Sequence, residues 1–257
     1  MEVIVCIKQV PSVSLPRDAG LDRSRGGQLN PCDAYALEAG LRLAEWFGGR
    51  VTALTMGPAG AEQVLRTALA MGADRAVLLC DQAFAGADVL ATGYALSQAV
   101  RALGTADWIV CGQHSTDGDT AQLPASLAAQ LELPLFGWVK GITPEGENLS
   151  VSQELSQGTQ IAQASAPCVL AVGPEIGVPR MPSLRRQLQA KGKPLVRLGP
   201  ADLPDQDPKH YGQAGSATRV VSVQEIRRQA RQQPLAISSA SAAQRILALV
   251  KEAEAHE

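Results

Sequence analysis

The sequence predicts an α/β fold: a mostly parallel sheet with helices on both faces, extended at one edge by antiparallel strands and followed by a C-terminal helical arm. Three observations predict it. Short β-branched runs alternate with longer Ala- and Leu-rich stretches of helical period. The short runs are apolar throughout, as strands are when both faces of a sheet are covered. After Leu135 the pattern changes to turn residues and polar alternation, which suits antiparallel strands with one wet face.

In chain order, strands are expected at Glu2–Ile7, Val51–Met56, Ala76–Cys80, Trp108–Cys111 and Cys168–Val172. Helices are expected between them at Asp33–Trp46, Ala61–Met71, Asp88–Leu103 and Ala121–Leu131. Gly141–Gln153 and Gly158–Ala164 read as the antiparallel edge. Gly173–Pro182 is rich in Gly and Pro, Leu184–Lys193 is a basic amphipathic stretch, and Leu203–Ser216 is poor in apolar residues and reads as an extended linker. Val223–Arg231 and Ser241–Ala253 carry short helical patterns. The expected organisation is an α/β domain over residues 1–200 and a linker with a C-terminal arm over 201–257.

The composition bounds the function. A chain of 257 residues with 46% hydrophobic and 19% charged residues can bury a substantial core. A formal net charge of −2 provides no field for nucleic acid or an anionic membrane. The longest apolar runs are too short to span a bilayer, and the opening MEVIVCIKQVP carries no basic leader, so a cytoplasmic protein is expected. Cys6, Cys32, Cys80, Cys111 and Cys168 are scattered singly with no CxxC pair. They read as small buried hydrophobes and not as a metal site.

An open sheet binds ligands beyond the carboxyl ends of its strands, and four strand-end segments stand out. Lys8-Gln9-Val10-Pro11 places a cation and a ladder-stopping proline after the first strand. Asn30-Pro31-Cys32-Asp33 has an N-cap residue, a proline suited to the first helical position and an acid able to complete a capping arrangement. Met56-Gly57-Pro58 is an ordinary strand-to-helix connection. The richest is Gly112-Gln113-His114-Ser115-Thr116-Asp117-Gly118-Asp119-Thr120-Ala121-Gln122. Pro124 places a helix start near Ala121, so this loop meets a helix N-terminus suited to a pyrophosphate. Asp117 and Asp119 would repel a bare phosphate and fit better as caps or as partners of a ribose hydroxyl or a ring. The loop lacks the Gly-Lys-Ser/Thr ending of a P-loop.

In this order and over nearly the whole chain, these segments resemble the beta subunit of electron-transfer flavoproteins. Supporting matches are Ala36-Leu37-Glu38, Arg66-Thr67-Ala68-Leu69-Ala70-Met71-Gly72-Ala73-Asp74 and Thr218-Arg219-Val220-Val221. The resemblance implies a Rossmann-like, adenine-nucleotide-binding fold and an obligate alpha subunit that carries a FAD. It implies nucleotide contacts at Cys6, Lys8, Asn30 to Asp33, Met56 and Gly112 to Gln122. Conventional members hold AMP there; bifurcating members, which use NADH, hold a second FAD. The Asp117-Gly118-Asp119-Thr120-Ala121-Gln122 version resembles the bifurcating type more, which favours FAD. The resemblance also places a recognition loop at Pro179–Ala190, with Leu184 as an apolar anchor for an acyl-CoA-type or other flavin dehydrogenase. Arg180, Arg185 and Arg186 would steer an acidic partner. Leu184 reads equally as the first core residue of an amphipathic helix with Leu188. No nucleophile–base pair or paired carboxylate has catalytic spacing, so the chain reads as an electron-carrier subunit without catalysis of its own. The rival is a free-standing adenine-nucleotide-binding regulator of the stress-protein type. That rival would need a glycine-rich phosphate loop and would not need the 179–193 segment or the tail.

Overall fold

A computed structural model describes residues 1–12, 27–219, 221 and 238–254. It divides into two compact units, Met1–Arg219 and Val220–Glu257. Among the described residues the first holds eleven strands, β1 (Glu2–Cys6), β2 (Gln9–Pro11), β3 (Gly27–Leu29), β4 (Arg50–Met56), β5 (Arg75–Leu79), β6 (Trp108–Gly112), β7 (Leu135–Glu145), β8 (Asn148–Leu155), β9 (Gly158–Ala164), β10 (Cys168–Val172) and β11 (Val196–Leu198). Its helices are α1 (Pro31–Phe47), α2 (Glu62–Met71), α3 (Val89–Leu103), α4 (Leu123–Leu131) and α5 (Leu184–Gly192). The second unit holds α6 (Ser239–Glu254). The expected helix at Val223–Arg231 lies outside the described residues.

Nine strands form one sheet in the order β11-β5-β4-β1-β6-β10-β7-β8-β9. It is parallel from β11 to β7 and antiparallel from β7 to β9. β1 lies between β4 and β6, so the chain builds outward on one side of β1 and then crosses to the other. This reversal is the topological switch point that opens a crevice above the strand ends.

Strand alternation divides the core into two layers. Val3, Val5, Val51, Ala53 and Val110 face α1 and α2, whereas Ile4, Leu54, Val77 and Ile109 face α3 and α4. All are buried on both sides of the sheet, which is why the strands read as unbroken apolar runs. Gly40 lets α1 lie directly on β1: a Cβ there would stand 2.5 Å from Val5 Cγ2. α3 starts where expected, with Asp88 accepting the N–H of Ala91 at 3.0 Å.

The structure departs from the sequence reading in five places. β1's ladder ends at Cys6, and the chain continues past Lys8 into a separate ribbon of β2 and β3; Pro11 ends that ribbon, not the main sheet. The antiparallel edge begins earlier than Gly141. β7 pairs with β10 from Leu135, carries an irregularity before Val139, and then turns through Gly146 into β8. The short edge strand β11 was not expected. α4 begins at Leu123, two residues after Ala121, because Ala121 holds a left-handed backbone, φ 52°. Last, Leu203–Ser216 is no free linker. Leu203 and Tyr211 are buried, and Tyr211 meets Phe84 edge-on at 5.5 Å. Asp205 accepts from Tyr94 Oη at 2.5 Å and contacts His210 Nδ1 at 2.5 Å; hydrogen bonds from Tyr94 and its neighbours hold its carboxyl down to about 2. A few well-placed aromatics anchor a segment whose average composition is polar.

Candidate functional site

A cavity of about 720 Å³ opens at the carboxyl ends of β1, β4, β5 and β6. That volume lies in the upper part of the range usual for small-molecule sites, about 300–1,000 Å³. Cys6 and Lys8 line it from the end of β1, Met56 from β4, and Gly112–Ser115, Gly118 and Thr120–Gln122 from the loop after β6; Asp33 reaches it from α1. Asn30, Pro31, Cys32, Thr116, Asp117 and Asp119 do not line it. Of these, Asn30 and Cys32 reach from the start of α1 to the loop, to Thr116 and His114.

Asn30 is the clearest case. It occupies the N-cap position of α1, yet its side chain makes no cap bond. Its amide N–H groups donate to Asp33 Oδ1 and to the His114 carbonyl, both at 2.9 Å, and its carbonyl oxygen accepts the Thr116 N–H at 3.2 Å. The capping reading is therefore corrected: Asn30 ties the loop to the helix start. Cys32 Sγ adds a contact with His114 Nε2 at 3.5 Å. His114 Nδ1 lies 2.6 Å from Asp119 Oδ1 without hydrogen-bond alignment.

Gly112 also serves this junction. A Cβ there would lie 2.3 Å from Asp33 Oδ1 and 2.9 Å from the Cys32 carbonyl carbon, so the close approach it permits is that of α1. Gly118 has only Ser115 Oγ near it, at 3.8 Å. Asp119 (φ 48°) and Ala121 (φ 52°) both take left-handed conformations, which cost an alanine roughly 1–2 kcal/mol.

The charges are arranged in pairs. The Lys8 ammonium donates to Asp117 Oδ1 at 2.6 Å and to Ser115 Oγ at 3.3 Å, and the Asp117 side chain is 3% exposed. Asp117 thus balances Lys8 and does not point a free charge at a ligand. The Lys8 backbone N–H donates to Asp33 Oδ2 at 2.7 Å. Burial pushes the Asp33 carboxyl up to about 7, against the opposing pull of its Asn30 and Lys8 hydrogen bonds. Burial likewise raises the Cys32 thiol, with Asp33 adding to the effect. The first residues of α4 border the cavity, so that helix N-terminus contributes partial positive charge to it. The start of α3 also borders it but is capped by the Asp88 carboxylate, which, against the upward push of burial, its hydrogen bonds hold below the ordinary carboxylate range.

One wall was missed from the sequence. Cys80–Gln82, Phe84–Val89 and Thr92 complete the cavity after β5. The signal was the strand end itself, followed by the Asp88 cap.

The residues that the resemblance assigns to docking do not line the cavity. Leu184 and Leu188 are 72% and 58% exposed, so neither is a core residue; of α5 only Ala190 is buried. Arg180 is committed to Glu38 and Glu45, and Arg186 Nη1 donates to the Met71 carbonyl at 3.3 Å. Arg185 is exposed. All five cysteines carry free thiols, with Cys6, Cys32, Cys111 and Cys168 buried. No described helix is long and apolar enough to cross a membrane.

The nine-stranded sheet with its switch point at β1 and β6, and a cavity bordered by a polar loop above it, defines a doubly wound α/β protein. Residues 18–203 match the electron transfer flavoprotein domain model. The chain is 41% identical over 227 residues to the electron transfer flavoprotein subunit beta of Thermoanaerobacterium thermosaccharolyticum, covering 86% of this chain and 87% of that one. It is 37% identical to protein FixA of Bradyrhizobium diazoefficiens, covering 87% and 82%. It is also 37% identical to the acryloyl-CoA reductase electron transfer subunit gamma of Anaerotignum propionicum, covering 80% of each. The chain belongs to the electron transfer flavoprotein family, among its beta subunits.

Proposed function

We propose that this chain is the nucleotide-holding beta subunit of an electron transfer flavoprotein heterodimer, that its cavity takes FAD in preference to AMP, and that it works in the cytoplasm. The observation that carries the reading is the cavity over the β1/β6 switch point, where the loop after β6 and the start of α1 are bonded into one floor. The residues fit an adenine dinucleotide. The volume is large, the helix N-terminus of α4 favours a pyrophosphate, and the apolar side chains of Met56, Pro58 and Phe84 offer surface for a ring.

When bound, FAD would accept and pass on electrons; the protein's part is to position it and set its surroundings. Lys8 and Asp117 fix the loop, Asp33 and Gly112 fix α1 against β6, and the wall from Gln82 to Asp88 excludes water. The alpha subunit would carry a further FAD. With two flavins, oxidation of NADH can be divided into one uphill and one downhill electron transfer, which is the bifurcating reading.

Two surfaces suit partners. Val178, Met181, Leu184 and Leu188 are all exposed beside the basic α5, matching a dehydrogenase with an apolar groove and an acidic rim. The name of the acryloyl-CoA reductase relative supports a flavin dehydrogenase of the acyl-CoA type. In the second unit, α6 exposes Ile246, Leu247, Leu249 and Val250, the apolar stripe of an arm that lies on the alpha subunit.

The test is the nucleotide content of the coexpressed, purified heterodimer, released by denaturation and separated by chromatography. Two FAD and no AMP per heterodimer are expected. One FAD and one AMP would replace the bifurcating reading with a single-flavin carrier, and absence of any nucleotide would end both.

A further inference from the structure

Asp33 is a buried carboxyl that lines the cavity at the start of α1. Its oxygens are met by neutral donors, the Lys8 backbone N–H at 2.7 Å and the Asn30 amide at 2.9 Å. The adjacent ammonium, that of Lys8, is drawn 2.6 Å from Asp117. On the remaining side Gly112 closes over it.

Two more carboxylates, Asp81 and Asp88, line the cavity from the wall after β5, where Asp88 caps α3 and is held below the ordinary carboxylate range; beside Asp33 itself no cation is left over. Asp117 has Lys8. Cys32 on its own helix and Cys111 on β6 are both pushed up, Cys111 by its contact with Cys6 and by burial, so these thiols stay neutral. His114 lies against Cys32 and Asp119, not Asp33. A carboxylate here shares the cavity with whatever phosphate enters it, and in a poorly solvated space that repulsion favours the protonated acid.

We propose that Asp33 is the residue through which this cavity takes up a proton when the pyrophosphate of a dinucleotide enters. The inference rests on the FAD reading above. Protonated Asp33 still accepts the Lys8 N–H, gains an O–H donor and no longer opposes the ligand's charge. The existing upward displacement of its carboxyl means that a modest further push near neutral pH changes its occupancy.

The test is titration calorimetry of FAD into the full chain, freed of nucleotide, near pH 7.5 in two buffers of different ionisation enthalpy. FAD serves as the probe because its pyrophosphate keeps a constant charge across this range. About half a proton should be taken up per FAD, and the affinity should fall several-fold from about pH 6.5 to about 8.5. Asp33→Asn should bring the uptake close to zero. Binding without proton uptake in the native chain overturns the proposal, as does undiminished uptake in Asp33→Asn. Should that variant fail to fold, an FAD affinity of the native chain that is flat with pH overturns it equally. If FAD does not bind at all, the FAD reading fails and this inference falls with it.

Discussion

Arg180 grips Glu38 side-on: Nε and Nη2 donate to Oε2 and Oε1 at 2.8 and 2.9 Å, and the Arg180 backbone N–H reaches Oε2 at 3.0 Å. Its Nη1 continues to Glu45 Oε1 at 2.6 Å. This arginine pins the segment before α5 to α1, whose first turn forms the cavity floor.

Arg180→Ala should therefore destabilise the chain by about 1–3 kcal/mol, the scale of charge-assisted hydrogen bonds. The pH dependence has a definite sign. Burial pushes Glu38 up, but the hydrogen bonds and charge of Arg180 outweigh it and hold the carboxyl below its ordinary 4.5. Glu45 is lowered mainly by its Arg180 hydrogen bond. Groups of depressed pKa stabilise above their unfolded value and lose that contribution as pH falls through the folded one. Urea unfolding of the native chain and Arg180→Ala should show a gap that is full above about pH 5 and closes below it. A constant gap would make the arginine's role one of packing alone.

Lys8 and Asp117 should behave as a unit. Lys8→Met removes the 2.6 Å ammonium partner of a 3% exposed carboxylate, and a loss of up to about 3 kcal/mol is expected, below the full cost of stranding a buried charge because Lys8 is itself partly exposed. The double variant Lys8→Met/Asp117→Asn should recover much of the loss. A double-mutant cycle by chemical denaturation measures this, and additive losses would show that the pair is not coupled.

The Asp33 carboxyl predicts the opposite slope from Glu38. Its folded value is raised from 3.8 to about 7, so the native state holds the proton more tightly than the unfolded chain. Its contribution is fully present below about pH 4 and is lost as pH rises towards 7. Compared with Asp33→Asn, the native chain should lose stability over that window by a few kcal/mol at most. The difference in slope is the signal, because asparagine also disturbs one of the two hydrogen bonds that Asp33 accepts. Parallel stability curves would mean that Asp33 titrates normally.

The sheet was legible because its strands are buried on both faces: Val3–Ile7 and Cys168–Val172 offer no polar alternation to confuse with an edge. The loop after β6 was legible by its length and its position between a strand and Pro124. Roles within it were not. Asn30 and Asp117 have the chemistry of a cap and a ligand contact, and they are used to hold Thr116 and Lys8, partners 86 and 109 residues away that no local pattern specifies. Leu203–Ser216 failed for a related reason: two buried side chains, Leu203 and Tyr211, outweigh a polar average. β11 is three residues long, too short for a periodic signal.

Gly112→Ala tests whether the floor is as closed as its distances imply. The new methyl would overlap Asp33 Oδ1 and the Cys32 backbone, and the backbone of α1 cannot give as a flexible side chain can. Overpacking of this kind costs typically about 1–3 kcal/mol, and separation of α1 from β6 should also lower FAD affinity. Gly118→Ala, which meets nothing closer than 3.8 Å, is the control for stability and should leave it unchanged. Equal effects of the two substitutions would show that loop flexibility, not the α1 contact, is what matters.

Leu184→Ala separates docking from folding. At 72% exposed the side chain contributes little to the core, so the unfolding midpoint should move by less than about 0.5 kcal/mol. Its place beside exposed Met181 and Leu188 makes it the centre of an apolar ridge. Loss of a central anchor in an interface typically costs about 2 kcal/mol or more, which would raise the KM for the partner dehydrogenase roughly thirtyfold at unchanged nucleotide content. The measurement is steady-state reduction of the assembled flavoprotein at varied dehydrogenase concentration, with Arg185→Ala beside it at two ionic strengths. The arginine variant should matter mainly at low salt, because its contribution is long-range attraction, whereas the leucine effect should persist at high salt. A KM that is indifferent to Leu184 would move the docking site away from α5.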